Sequence, residues 1–483
     1  MNARVRSLLA WAQASTSARR RSLLALVALA LAAPFVAGTA LGVGAEDGGW
    51  GLAAIIASVP VALAVGAFAA RALIAAVQSV RRTHSALWIV DKLLPLELDV
   101  TERVPRRVNI IHPAVDLKHF FGSFIGIFNL ARRLGERGHR VRLIALEGAE
   151  LPADWREQLA RYEGIGDSVE SLEVAFAADR ARAVEVNPED ALIATHWSAA
   201  HVAAAALPDL RAERFLYLIQ EYDPFAFPMG SAAALARGSY DLPHVALFST
   251  ELLREWFAAN AVGVFANGRQ AGERDSASFD NAITPVGPVS ARELNHPGPR
   301  RLLYYARPEE HAARNMFEVG MMALDQAVAS GRFAGWELAG VGTVELGGGA
   351  IPLPRSGARL RLIPRSAQPD YASLLSSCDV GMALVYTPHP GLVAIEMAAA
   401  GMSTVTNTFE NKDAAAIRRI SANLIAADPS VDGIAAALAA AEERSDSLDE
   451  RAEASRVAWP TSWEEALSDE LLARIERLLA LDR

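Results

Sequence analysis

The sequence predicts an α/β protein: two Rossmann-like domains facing each other across a cleft, preceded by an N-terminal two-helix transmembrane hairpin. Three observations carry the prediction. Short apolar strands alternate with helices twice, once from Val108 and again from Arg301. Two long charge-free runs, residues 22–45 and 48–70, stand ahead of both series. Within the second series, a helix opening on His389, Pro390 and Gly391 carries a single carboxylate, Glu396. Such alternation builds a parallel sheet whose ligands sit beyond the C-terminal strand ends.

Each apolar run exceeds the roughly 20 residues that cross a bilayer at about 1.5 Å per residue. Glu46 and Asp47 lie between them, while Arg19, Arg20 and Arg21 precede the first and Arg71, Arg81 and Arg82 end or follow the second. Positive flanks with an acidic turn place both ends in the cytoplasm, so the expected location is the cell membrane, with two spans and cytoplasmic catalytic domains. A signal peptide over the first run is the competing reading, and it leaves the second run unexplained. Expected boundaries are a tail at 1–21, the hairpin at 22–80, a connector at 81–107, domains at 108–290 and 291–460, and a closing helix at 461–483.

Composition excludes several function classes. The chain of 483 residues carries a formal net charge of −9 and no lysine-rich patch, so no nucleic-acid partner is expected. Its single cysteine, Cys378, excludes an intrachain disulfide. The ten histidines show no metal-ligand spacing, and no metal site or cofactor is expected.

In the first domain the strand 108–113 leads through Gly122 and Gly126 into a helix over 127–137 closed by Gly138, then a strand over 140–146. Strands at 191–195, 214–219 and 244–248 each end in a polar cluster: His196 with Trp197, Gln220-Glu221-Tyr222-Asp223, and Ser249 with Thr250. Polar residues gathered after successive parallel strands line one cleft. Residues 267–292 read as a boundary. The second series has strands at 301–306, 336–340, 360–363, 380–384 and 403–407. Its helix at 392–400 offers first-turn amides at Gly391 and Leu392 for a phosphate, and Glu396 for a hydroxylated ring.

These motifs resemble GT-B glycosyltransferases of retaining family 4, over residues 108–483. Tyr304-Tyr305-Ala306-Arg307-Pro308 followed by Arg314-Asn315 resembles the strand and cationic pair that opens that family's donor domain. Glu396 matches the second glutamate of the family's E-x7-E signature; Pro388 stands in place of the first. Phe120-Phe121-Gly122, the segment 219–224 with 227–231, and Asn411-Lys412-Asp413 resemble the WsaF-type rhamnosyltransferase subgroup. The resemblance implies a nucleotide-sugar donor, dTDP-rhamnose, and a glycan or lipid-linked acceptor at the membrane. It implies Arg307 and Arg314 as catalytic diphosphate ligands, with Glu396, His389, Pro390, Gly391, Leu392, Ile363, Arg365, Gly122 and Ser123 on the donor side. His196, Trp197, Gln220, Glu221, Tyr222 and Asp223 are the acceptor-side candidates. The alternatives are a transferase for mannose or glucose, and an inactive scaffold of the same fold, which Pro388 favours.

Overall fold

In the computed structural model, residues 88–481 are described, apart from 116–121, 149–153, 161–165, 167–171, 343–348 and 364–367. Lys92–Arg483 form one compact unit, which carries the fold described below. The expected hairpin at 22–80 lies outside the described residues. Among the described residues no helix is long and apolar enough to cross a membrane.

The first lobe contributes β1 (Leu98–Val100), β2 (Val108–His112), β3 (Val141–Ala145), β4 (Glu173–Phe176), β5 (Val184–Val186), β6 (Ala191–Ala194), β7 (Phe215–Ile219), β8 (His244–Phe248) and β9 (Ser276–Ser278). Seven of these form one sheet in the order β4-β3-β2-β6-β7-β8-β9, parallel throughout. The residues of β3, β6, β7 and β8 are all buried, as continuous apolar runs in a two-sided parallel sheet should be. Helices α1 (Gly122–Glu136) and α2 (Trp197–Ala206) cover opposite faces.

The second lobe contributes β10 (Arg301–Tyr305), β11 (Glu337–Val341), β12 (Gly349–Pro352), β13 (Arg359–Leu362), β14 (Val380–Met382), β15 (Ser403–Asn407) and β16 (Leu424–Ala427). Their order is β12-β13-β11-β10-β14-β15-β16, parallel except for the antiparallel edge strand β12. Helices α3 (Phe317–Ala329) and α4 (Leu392–Ala399) lie on opposite faces. Helices α5 (Trp463–Ala466) and α6 (Asp469–Leu478) pack into the first lobe's core through Trp463, Leu472 and Ile475. Glu476 there takes a two-pronged bond from Arg137, 2.7 Å on each arm.

Two stretches depart from the sequence reading. The connector 81–107 contains β1, paired in parallel with β5, so its described part is structured. The 267–292 stretch contains β9, which extends the first sheet at its edge rather than simply separating domains. In the second sheet the strand order reverses between β10 and β14, and crevices at such reversals accept ligands.

Candidate functional site

Both segments flanking that reversal carry the candidate donor residues. Arg307 follows β10, and the loop after β14 leads through His389, Pro390 and Gly391 into α4. The Arg307 side chain is held on three sides: Nε donates to Glu309 Oε2 at 2.8 Å and Nη1 to the Tyr305 hydroxyl at 3.1 Å, while Nη2 lies 3.2 Å from His311 Nε2. Glu309 is 2% exposed, so this is a buried ion pair that fixes the guanidinium rather than a mobile surface cation. Gly342 makes the arrangement possible. Its φ is +103°, and a Cβ there would sit 2.5 Å from the Tyr305 ring and 3.2 Å from Arg307 Cδ.

Glu396 is satisfied from two directions. The Thr284 backbone N–H donates to Oε1 at 3.1 Å and the Tyr371 hydroxyl donates to Oε2 at 3.1 Å. Burial raises its pKa, and these hydrogen bonds oppose the rise. Burial also raises the Tyr371 hydroxyl, reinforced by Glu396 and by the nearby Tyr305 hydroxyl. Arg307 with Tyr305 and Tyr371 with Glu396 are therefore two hydrogen-bonded pairs, with the Tyr305 and Tyr371 hydroxyls near enough to influence each other. The Thr284 side chain also bonds Glu396, and a carboxylate's four acceptor sites still leave room for a ligand hydroxyl.

The loop before α4 is tied down from below. Asn407 accepts from Val385 N–H at 2.7 Å and donates to its carbonyl at 3.0 Å, and Lys412 Nζ donates to that same carbonyl at 2.6 Å. Lys412 is fully buried, which lowers its pKa to about 7. His389 Nδ1 accepts from the Gly391 N–H at 3.0 Å. This corrects the expectation that Gly391 offers its amide to a phosphate, because that N–H is already committed. The amides of Leu392, Val393 and Ala394 open the helix and have no intrahelical partner. Burial lowers the His389 pKa, so the ring is neutral, with its proton on Nε2.

Three contacts bring the first lobe to this crevice. Arg314 Nε lies 3.5 Å from Glu221 Oε1, and Asn411 Nδ2 donates to the Leu252 carbonyl at 2.8 Å. Trp256 Nε1 also donates to the Glu410 carboxylate. Asp223 accepts from the Trp197 N–H at 2.9 Å and from the Tyr217 hydroxyl at 3.3 Å. Burial pushes its carboxyl up to about 7.

The acceptor-side candidates separate on inspection. Trp197 is fully buried, so its backbone N–H positions Asp223 and its indole belongs to the core. Tyr222 packs into an aromatic cluster with Trp256 and Tyr240, at 4.7 and 5.5 Å between ring centroids. His196 caps α2 and accepts from Ser198; burial lowers its pKa to about 3. Gln220 approaches the backbone of α1 at Gly126. Ile363 packs on the α4 side of the second sheet. Gly122 and Ser123 open α1, and Arg365 lies outside the described residues. Sequence reading missed Tyr305, Tyr371, Glu309 and Gly342 as parts of the site. Only Gly342, directly after a strand, left a trace in the chain, since a glycine there marks a close approach.

Comparisons with known proteins bear on the family and the fold. The WsaF N-terminal domain family matches residues 107–251 and the WsaF C-terminal domain family matches residues 300–439, together more than half of the chain. O-antigen biosynthesis protein RfbC of Myxococcus xanthus is 29% identical over 265 residues. That match covers 52% of this chain and 18% of the relative, so the chain spans under a fifth of that protein's length. Among solved structures, Anabaena Alr3699/HepE in complex with UDP and glucose superposes with a TM-score of 0.52 at 12% identity, over 78% of this chain and all of the other. Sucrose-phosphate synthase from Thermosynechococcus elongatus gives a TM-score of 0.48 at 16% identity, over 78% of this chain and 100% of that one. With two parallel α/β lobes around one crevice and both family domains in sequence order, the chain belongs to the WsaF family of GT-B glycosyltransferases.

Proposed function

We propose that the chain moves L-rhamnose from dTDP-rhamnose onto a cell-surface polysaccharide or lipid-linked glycan, with retention and without a metal ion. The observation that carries this reading is a series of two hydrogen-bonded pairs beside the strand-order reversal, Arg307 with Tyr305 and Tyr371 with Glu396. A nucleoside diphosphate needs cationic groups at its phosphates and a carboxylate at its ribose, and this series has both ends. The chain's similarity to an O-antigen biosynthesis protein supports an envelope glycan as acceptor.

In the reaction the bond from the anomeric carbon to the diphosphate breaks and the acceptor oxygen bonds to that carbon on the same face. The acceptor proton passes to the departing diphosphate. Arg307, already fixed by Glu309 and Tyr305, stabilises the charge growing on that diphosphate without reorganising, which is the strength of a preplaced donor. Arg314 is the second cation. Leu392 and the following amides of α4 add partial positive charge.

The two charge-free runs at 22–45 and 48–70 support an anchored enzyme with cytoplasmic lobes, confined to the same surface as its acceptor. The test is a thermal-shift panel of nucleotide sugars on purified protein, followed by detection of released nucleoside diphosphate. dTDP-rhamnose should give the largest shift. A larger shift with a UDP- or GDP-hexose would replace the donor assigned here. Pro388, in place of the family's first acid, favours a second reading, an inactive scaffold. Donor binding without release of dTDP would establish it.

A further inference from the structure

Two first-lobe acids face the cations of the second lobe, and they differ in one respect. Asp223 Oδ2 is taken by the Trp197 N–H and the Tyr217 hydroxyl. Glu221 Oε2 is buried without a hydrogen-bond partner among the described residues, although its neighbour Oε1 lies 3.5 Å from Arg314 Nε. Buried carboxylate oxygens are ordinarily satisfied, and an unmet acceptor at a cleft fits a ligand that donates. His389 and Lys412 also lie close enough to Glu221 to feel its charge. Lys412 Nζ donates to the Val385 carbonyl and His389 Nδ1 accepts from Gly391, and among the described residues neither side chain bonds Glu221. Among the described residues Arg314 is the cation paired with Glu221, and it is also a proposed diphosphate ligand.

We propose that Glu221 binds a hydroxyl of the acceptor glycan, and that the donor diphosphate and Glu221 compete for Arg314. Donor binding then draws Arg314 away and leaves the whole carboxylate to the acceptor, which favours donor first, acceptor second. This rests on the donor site assigned above. Glu221 touches substrate only through the acceptor hydroxyl, and its effect on the donor runs wholly through Arg314.

The competition predicts effects of opposite sign from one substitution. Glu221→Gln preserves size and removes the charge that holds Arg314. Calorimetry would use whichever of dTDP, UDP, GDP and ADP binds the wild type most tightly. That nucleotide should bind Glu221→Gln about two- to fivefold more tightly, the range of a partly exposed ion pair. In the same variant the acceptor KM should rise about tenfold or more, as for loss of a charged hydrogen-bond acceptor. Glu221→Asp, which keeps the charge and shortens the reach, should show the acceptor defect with a smaller gain in nucleotide affinity. In an Arg314→Ala background, Glu221→Gln should give no further gain in nucleotide affinity. A gain that persists there would show plain charge repulsion and overturn the competition. Unchanged nucleotide affinity or unchanged acceptor KM in Glu221→Gln would also overturn it. Failure of the wild type to bind any of the four nucleotides would overturn the donor site and this inference together.

Discussion

Gly342→Ala removes no polar group, yet it should cripple transfer. A Cβ at this position would stand 2.5 Å from Tyr305 Cε2 and 2.7 Å from Cδ2. Restoring carbon–carbon contact to about 3.5 Å needs a shift of about 1 Å in the Tyr305 ring. The Arg307–Tyr305 bond, now 3.1 Å, would stretch beyond hydrogen-bonding range, and Arg307 Cδ, 3.2 Å from the same point, would be pushed as well. The φ of +103° adds backbone strain of about 1–2 kcal/mol for any residue with a side chain. A misplacement of about 1 Å in a charge-stabilising group lowers turnover about 100-fold. The assay is release of nucleoside diphosphate at saturating donor, with a melting curve for each variant. Tyr305→Phe, which loses the hydroxyl and keeps the ring, should lose far less. Turnover of folded Gly342→Ala within a few-fold of wild type would refute the argument that Tyr305 and Arg307 are placed by this close approach.

Further outcomes follow from the same contacts. Asp223, raised by burial to about 7, holds its proton in the folded chain after the unfolded chain has lost it at about 3.8, so its contribution to stability falls as pH rises from 4 to 7. Lys412, lowered by burial to about 7, behaves oppositely: its contribution rises from pH 7 toward 10.5. Each slope is at most about 1.4 kcal/mol per pH unit; denaturation curves should show the first flattened in Asp223→Asn and the second in Lys412→Met. Unaltered slopes would contradict the burial argument. Glu396→Gln should weaken donor binding about tenfold by calorimetry, as loss of a charge-assisted hydrogen bond does, and equal affinity would remove the ribose assignment. Deleting residues 1–80 should reduce activity on a lipid-linked acceptor more than on a soluble analogue; equal losses would dispose of the anchoring explanation.

Much of the scaffold was legible because parallel strands buried on both faces are written as short apolar runs. β8 and β15 fall where those runs do, and α4 ends one residue short of its expected limit. What escaped were edge elements. β9 is Ser-Ala-Ser and β1 is Leu-Asp-Val, too short and polar to show a pattern, and their strand character comes from pairing with a neighbour. Within the site, Arg307 and Glu396 stood out as charges beside apolar elements. The link between them did not, because Tyr371 lies 25 residues before Glu396 on a separate helix, and Thr284 belongs to the segment between the lobes. Trp197 misled for the same reason: a polar cluster after a strand predicts a cleft, but rotation about the helix start turns the indole inward.

Arg307 is the group on which the account depends, and its ion pair dictates how to test it. Removing the cation alone would take the ion partner from the buried Glu309 carboxylate and destabilise the lobe by about 3–5 kcal/mol. The decisive measurement is therefore turnover of the Arg307→Gln, Glu309→Gln double variant, beside Glu309→Gln alone, with melting temperatures recorded for both. Loss of a preplaced donor to the leaving diphosphate should lower turnover of the double variant about 100- to 1,000-fold relative to the single variant, while both remain folded. Turnover equal in the two variants would contradict the claim that Arg307 carries the charge of the departing diphosphate.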